Sequence, residues 1–227
     1  AVVIGASMAG IKVVEVLHKF GIETWLLDLA SYIFPLAAYK EVAKEIEKRV
    51  EAQGVHLMFG VTIDHMEQEN GEKTAVLTDG SRIPADIVGL CIGTRAITET
   101  VQGEVEIGRG IVVDDHMRTS VPGIYAAGDC CEGNNLESGQ NQIIGLWANA
   151  NHQGETAGIN MAGGDMAYKG NILHNITHFM NMDFIGFGDN RMQGEVLEYG
   201  SLSEDLYIRL VLDGKRIVGA NILDNYR

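Results

Sequence analysis

Cysteine, proline, tryptophan and basic residues are all scarce in this 227-residue chain: it has three Cys, three Pro, two Trp and only 17 Lys plus Arg. Cys91 stands alone and Cys130 and Cys131 are adjacent, so there is neither a C-x-x-C pair nor an even disulfide framework, which suits a reducing, cytoplasmic setting. Metal-ligand spacing is missing too, and no metal site is expected. No segment reaches the roughly 18 apolar residues that a membrane span needs, and no signal peptide is apparent. Against the few basic residues stand 31 Asp plus Glu, for a net charge of -14. That balance disfavours nucleic acid and anionic membranes as partners, since both reward clustered Lys and Arg. A basic protein partner is permitted.

What is present is glycine, 28 residues of it, and 46% hydrophobic content, enough for one large or two modest domains linked by tight turns. The chain opens without Met, inside what reads as a strand, and closes just after another, so it is expected to be a fragment of a longer protein.

Val2–Ile4 predicts a buried strand, and Val13, Val14, Leu17 and Phe20 recur at helical spacing behind Gly10. The loop Gly5-Ala6-Ser7-Met8-Ala9-Gly10 therefore joins a strand to a helix, the context that a dinucleotide fingerprint requires. Gly5 permits the tight turn, the small Ser7 lets a pyrophosphate near the backbone, and Gly10 allows close helix packing. A second strand over 24–27 ends at Asp28, where an acid accepts from a ribose 2'-OH and repels a 2'-phosphate, favouring NADH over NADPH. An ordinary βα turn is the plainer alternative for the loop by itself.

Far downstream, Thr119 to Asp129 offers a second candidate. Ile124–Ala127 reads as a short buried strand after a Pro-Gly turn, paired with 111–114 and ending on Gly128-Asp129. A carboxylate so delivered suits a polyol or sugar hydroxyl, with a capping Asp as the alternative.

Between the two, 41–53 predicts an amphipathic helix ended by Gly54, and 55–59 a third strand. The runs 61–66, 73–78 and 82–84, separated by Asn70-Gly71 and Asp79-Gly80, form a meander, and 86–92 another strand. A helix starts near Leu146-Trp147 and runs through Met161. Trp147 taken by residue type reads as a core side chain, His152 reads as structural, and so do Cys130 and Cys131. Beyond Tyr168, segments 172–179, 184–187, 195–199, 206–212 and 216–223 read as strands of an α+β or all-β appendage.

The paired motifs, Gly5 to Gly10 and Thr119 to Asp129, resemble the FAD- and NAD-dependent pyridine nucleotide-disulfide oxidoreductase superfamily. The run Tyr207 to Ala220 is similar to the C-terminal interface domain of nitrite reductase flavin modules and rubredoxin reductases. The resemblance implies an α/β fold: a Rossmann-like three-layer NADH domain over 1–93, the second half of an FAD domain over 94–165, and an α+β interface domain over 166–227 capable of homodimerisation. It implies that NAD(H) lies on Gly5, Ser7, Met8, Gly10 and Asp28, that FAD meets Gly128, Asp129 and Trp147, and that the chain crosses between domains at Gly93. The activity implied is transfer of hydride from NADH to FAD and onward to rubredoxin, a nitrite-reducing module or oxygen. The family's first stretch, with the ADP-binding glycines of the FAD site, is missing, so this chain by itself is expected to hold FAD weakly and to be inactive.

Three positions depart from the family pattern. Lys12 stands where Glu is usual, Met8 where an aromatic is common, and Ala96 follows Arg95 where proline is usual. The His-Pro-Thr and Glu of glutathione-reductase-like enzymes are absent, which disfavours disulfide reduction. No side chain is assigned as general acid or base. A non-catalytic nucleotide-binding subunit or redox sensor stays open.

Overall fold

Val2–Ile4 form β1, the first strand of a parallel sheet in a computed structural model that describes residues 1–224. From there the chain runs through α1 (Met8–Lys19), β2 (Trp25–Asp28), α2 (Lys40–Glu51) and β3 (His56–Phe59). A meander follows, β4 (Ile63–Glu69), β5 (Glu72–Leu77) and β6 (Arg82–Pro84), and then β7 (Val88–Leu90). The parallel sheet has the order β3-β2-β1-β7, with Val3 opposite Leu26 and Gly89. Strand side chains alternate between faces. Val2, Ile4 and Leu27 accordingly pack on Ala75, Leu77 and Ile83 of the meander, while Val3 and Leu26 share a core with Ile11 and Val14 of α1 and Val42, Ile46 and Val50 of α2. Each of those α2 side chains contributes about 1.5–3 kcal/mol by burial. Meander, sheet and helices are the three expected layers.

A fourth layer closes the helices from outside. It is an antiparallel sheet of β10 (His174–Phe179), β11 (Met182–Gly188), β12 (Glu195–Gly200), β13 (Leu206–Asp213) and β14 (Arg216–Asp224), in the order β10-β11-β14-β13-β12. Phe179, Met182, Phe184, Val211 and Leu223 from this sheet lie in the same core as α1 and α2. Ala1–Gly93 and the chain from His174 onward accordingly form one compact unit, with Thr94–Leu173 as the other. Among the described residues the C-terminal segment is all-β, which corrects the α+β expectation. Its apolar residues alternate, as in Met182–Gly188, and give no helical stripe.

Thr94–Leu173 is loop-rich. Its regular elements are a 3-10 turn at Glu99–Val101, the two-residue strands β8 (Gly133–Asn134) and β9 (Asn141–Gln142), and α3 (Trp147–Met161). The expected pairing of 111–114 with 124–127 does not form. Tyr125 makes a single bridge to Arg118, Ile111 bridges Ile107 and Cys131, and Ile124 is 42% exposed. The cause is local: a Thr119 N–H to Ile124 O bond of 2.9 Å closes the turn so tightly that Arg118 faces Tyr125. In place of a ladder, α3 supplies side-chain partners. Its buried face carries Asn149, Gln153, Thr156 and Asn160, four polar residues at helical spacing. Among the described residues no helix is long and apolar enough to cross a membrane.

Candidate functional site

The first candidate site lies where β1 gives way to α1. Gly5 adopts φ +104°, and a Cβ there would lie 2.2 Å from the Cys91 carbonyl oxygen; one on Gly10 would lie 1.8 Å from the Gly5 oxygen. Only glycine fits either position, because the chain packs backbone on backbone. Ser7 is the N-cap of α1: its hydroxyl accepts from the Gly10 N–H and donates to the Cys91 oxygen, each at 3.4 Å. It therefore organises the loop, a role beyond mere smallness. The first-turn amides of α1 have no intrahelical acceptor, and there is no acid in that turn to occupy them. Together the bare loop and the helix N-terminus fit a pyrophosphate.

Asp28, at the end of β2, turns back toward this loop. One carboxylate oxygen accepts from the Ala6 N–H at 2.6 Å and the other from the Ala30 N–H at 2.8 Å. Each oxygen keeps a second lone pair for a hydroxyl donor. The Ala6 contact had no sequence signal, since it spans 22 residues and uses only backbone. Met8 packs against the core, and Gly93 sits exposed at φ +100°. A side chain at Gly93 would meet nothing within 4 Å, so it is the left-handed backbone that requires glycine.

Lys12 donates to the His178 carbonyl at 2.7 Å and pairs with Glu15, whose other oxygen takes Lys19 at 3.2 Å and the Met180 N–H at 3.0 Å. Burial favours a neutral Glu15, but these donors outweigh it and hold its carboxyl down at about 2. The family-atypical Lys12 is thus part of a brace between α1 and the turn joining β10 to β11.

The second candidate site lies within Thr94–Leu173. Gly128 takes φ +85°, and its N–H donates to Gln153 Oε1 on α3 at 2.8 Å. Asp129 follows in a turn, which replaces the expected strand end. Its exposed carboxylate lies against Gly145: a Cβ on Gly145 would come within 3.6 Å of Asp129 Oδ2. Two residues on, α3 begins at Trp147 with no side-chain cap and no acid in its first turn. Trp147 is 82% exposed, which excludes the core reading. A free carboxylate, a bare backbone and an uncapped helix N-terminus beside an exposed indole fit a polyol chain attached to an electron-accepting ring. Gln153 and Gly145 escaped the sequence reading; the signal was a run of polar residues at helical spacing, easily taken for a solvent face.

The thiols are structural. Cys130 and Cys131 donate into the same turn, to the Ala127 and Gly128 oxygens at 3.3 and 3.4 Å. Burial, reinforced by neighbouring negative charge, pushes Cys131 up to about 12, far from thiolate reactivity. Cys91 is also raised by burial. His152 is exposed, and its carbonyl accepts from Thr156. Asp114, Asp115 and His116 bring potential metal-ligand atoms within 4.8 Å, with Asp114 also engaging Arg118.

A family model described as pyridine nucleotide-disulphide oxidoreductase matches residues 1–154. Among curated relatives, nitrite reductase (NAD(P)H) of Bacillus subtilis is 25% identical over 97% of this chain and 27% of its own length. An NADH oxidase of Streptococcus pyogenes is 28% identical over 97% and 52%, and a rubredoxin-NAD(+) reductase of Pseudomonas putida 31% over 60% and 36%. Thus the chain spans about half, or less, of the length of these relatives. Two solved structures carry the same fold. The water-forming NADH oxidase of Lactobacillus brevis bound to NADH has a TM-score of 0.89 at 25% identity, covering 99% of this chain and 54% of its own. An FAD-dependent pyridine nucleotide-disulphide oxidoreductase of Desulfovibrio vulgaris has 0.85 at 26%, covering 98% and 59%. FAD and NAD(H) are the cofactors of these proteins' family.

Proposed function

The chain belongs to the pyridine nucleotide-disulphide oxidoreductase family, and from that premise we propose that it is the NADH-binding unit and part of the flavin-binding unit of an NADH-dependent flavin oxidoreductase. NADH and FAD, when bound, supply the hydride chemistry, and the protein supplies position. Gly5, Ser7 and Gly10 hold the loop on which the dinucleotide's pyrophosphate rests, facing the first amides of α1. Met8 packs against the core at the start of α1, and Gly93 ends the segment that carries the loop. Asp28 accepts from the ribose 2'-OH, and its negative charge, fixed by two backbone N–H groups, repels a 2'-phosphate. Gly128 and Asp129 hold the ribityl chain of FAD, Trp147 lies at the flavin, and the N-terminus of α3 stabilises negative charge on its pyrimidine edge. The observation that carries the reading is the glycine cradle: two positions where any Cβ would strike backbone, at a strand-to-helix junction opened toward an acid.

Electrons leave for an acceptor of the kinds named by the relatives: a rubredoxin-like protein, a nitrite-reducing module or oxygen, in a cytoplasmic setting. The C-terminal strands serve as the interface of a homodimer. The test is anaerobic NADH addition to the complete flavoprotein. Bleaching of the flavin absorbance is expected; dinucleotide binding without bleaching would favour a nucleotide-binding subunit or redox sensor. A sharper check is Asp28→Ala. It should weaken NADH binding about 10-fold and relax discrimination against NADPH, as loss of charge-assisted contacts requires. Unchanged affinities for both nucleotides would overturn the ribose assignment.

A further inference from the structure

The segment between Asp28 and α2 has no regular structure, yet hydrogen bonds and ring contacts anchor it at both ends. Its first half is tied to the candidate site: the Ala30 N–H donates to Asp28, and the Phe34 N–H donates to the Ala6 carbonyl at 2.9 Å. Phe34 holds φ +53°, an uncommon conformation for a bulky residue, so something outside must fix it. That restraint comes from the C-terminal sheet. The Phe34 ring stacks on Phe184 with centroids 5.3 Å apart and meets Phe179 edge-on at 5.4 Å.

The second half is latched by two asparagines. Asn221, on β14 and 0% exposed, accepts from the Tyr39 N–H at 2.7 Å and donates to the Ala37 carbonyl at 2.8 Å. Asn190, in the turn after β11, donates to the Pro35 and Ala38 carbonyls at 3.0 and 2.7 Å. A side chain on Gly186 would come within 2.8 Å of the Ala37 oxygen, so the sheet is bare where the segment lies on it. A buried asparagine in an apolar sheet is costly unless fully bonded, and Asn221 is bonded to the backbone of this segment and to its own neighbour, the Ala220 carbonyl, at 2.7 Å.

We propose that Asn221 and Asn190 are positioning residues of the dinucleotide site, through which the C-terminal sheet holds the segment after Asp28 and thereby sets the preference for NADH over NADPH. The proposal rests on the assignment of Asp28 to the ribose. Releasing residues 35–39 frees Phe34 to leave the Ala6 carbonyl and Ala30 to leave the Asp28 carboxylate, and the acid then loses its aim at the 2'-hydroxyl. Nonspecific loosening of the fold would lower stability and leave the ratio of the two nucleotides unchanged.

The test compares Asn190→Ala and Asn221→Leu with wild type in the purified protein. Dissociation constants for NADH and NADPH would be measured by titration, and amide exchange at Phe34 and Tyr39 by NMR. Loss of two side-chain-to-backbone hydrogen bonds to the segment in each variant predicts NADH binding weakened roughly 3- to 10-fold, with NADPH affected less and both amides exchanging faster. Asn190→Ala, at a partly exposed turn, keeps the test decisive if Asn221→Leu does not fold. A folded Asn190→Ala protein with an unchanged nucleotide ratio overturns the latch, whether or not its amides exchange faster. Wild-type protein that binds neither nucleotide overturns the underlying site assignment instead, and the proposal with it.

Discussion

In the unit made of Ala1–Gly93 and the C-terminal strands, backbone polar groups are consumed in parallel and antiparallel ladders, and apolar side chains fill the space between layers. In Thr94–Leu173 the ladders shrink to two-residue strands and single bridges, and buried side chains take over. Asn149 Nδ2 donates to the Ile144 carbonyl, Gln153 accepts from the Gly128 amide, and Asn160 holds both the His116 carbonyl and the backbone of Met166. Both solutions satisfy the requirement that buried N–H and C=O groups be paired. They differ in what breaks them. The first is sensitive to volume and the second to the loss of one polar atom.

The largest effect is therefore expected at Gly10. Gly10→Val drives its side chain into the Gly5 carbonyl, which is backbone and cannot move aside. Destabilisation of about 3 kcal/mol or more and complete loss of NADH binding are expected, read by thermal unfolding and nucleotide titration. An unchanged melting temperature would show that α1 can shift on the sheet, and would refute the volume-limited view of this unit.

Next is Gln153→Leu, which keeps size and removes the acceptor for Gly128. Its expected cost is about 1 kcal/mol, the loss of a hydrogen bond at a partly buried N–H. The flavin content of the complete protein should fall, while NADH affinity stays as it was. If Gln153→Leu leaves flavin content unchanged, the turn carrying Asp129 is held by other contacts and the contrast between the units weakens.

The same contrast sets how much was legible in the sequence. Apolar runs and alternation marked β1, β2, the meander and all five C-terminal strands: β1 is an apolar run buried throughout, whereas β11 buries every second residue. The Asn70-Gly71 turn was equally plain, and both residues take positive φ as such a hairpin needs. Ile124–Ala127 misled, because an apolar run becomes a strand only when a neighbour lies in register, and register is a property of the folded turn. The buried stripe of α3 was hidden because polar residues at helical spacing ordinarily face water. Asp28 was readable as an acid at a strand end, whereas its tether to Ala6 and the latch on residues 35–39 were not, since backbone partners leave no trace in residue identity.

Glu15 sharpens the comparison: with Asn221, it is a buried polar side chain, 4% exposed, in a unit whose core clusters are apolar. Its folded pKa of about 2 lies below the ordinary 4.5, so its contribution is complete above that ordinary value. It is lost as the pH falls from about 4.5 toward 2. With its lysine partners screened by solvent, the contribution is about 2 kcal/mol at neutral pH. Glu15→Gln should remove this acid-sensitive increment, so wild type and variant converge in stability as the solution is acidified from pH 5. Denaturant unfolding of both proteins across that range measures the difference. A gap that stays constant down to pH 2 would mean that Glu15 acts through packing alone, and that even the charged brace between α1 and the C-terminal sheet obeys the volume rule of its unit.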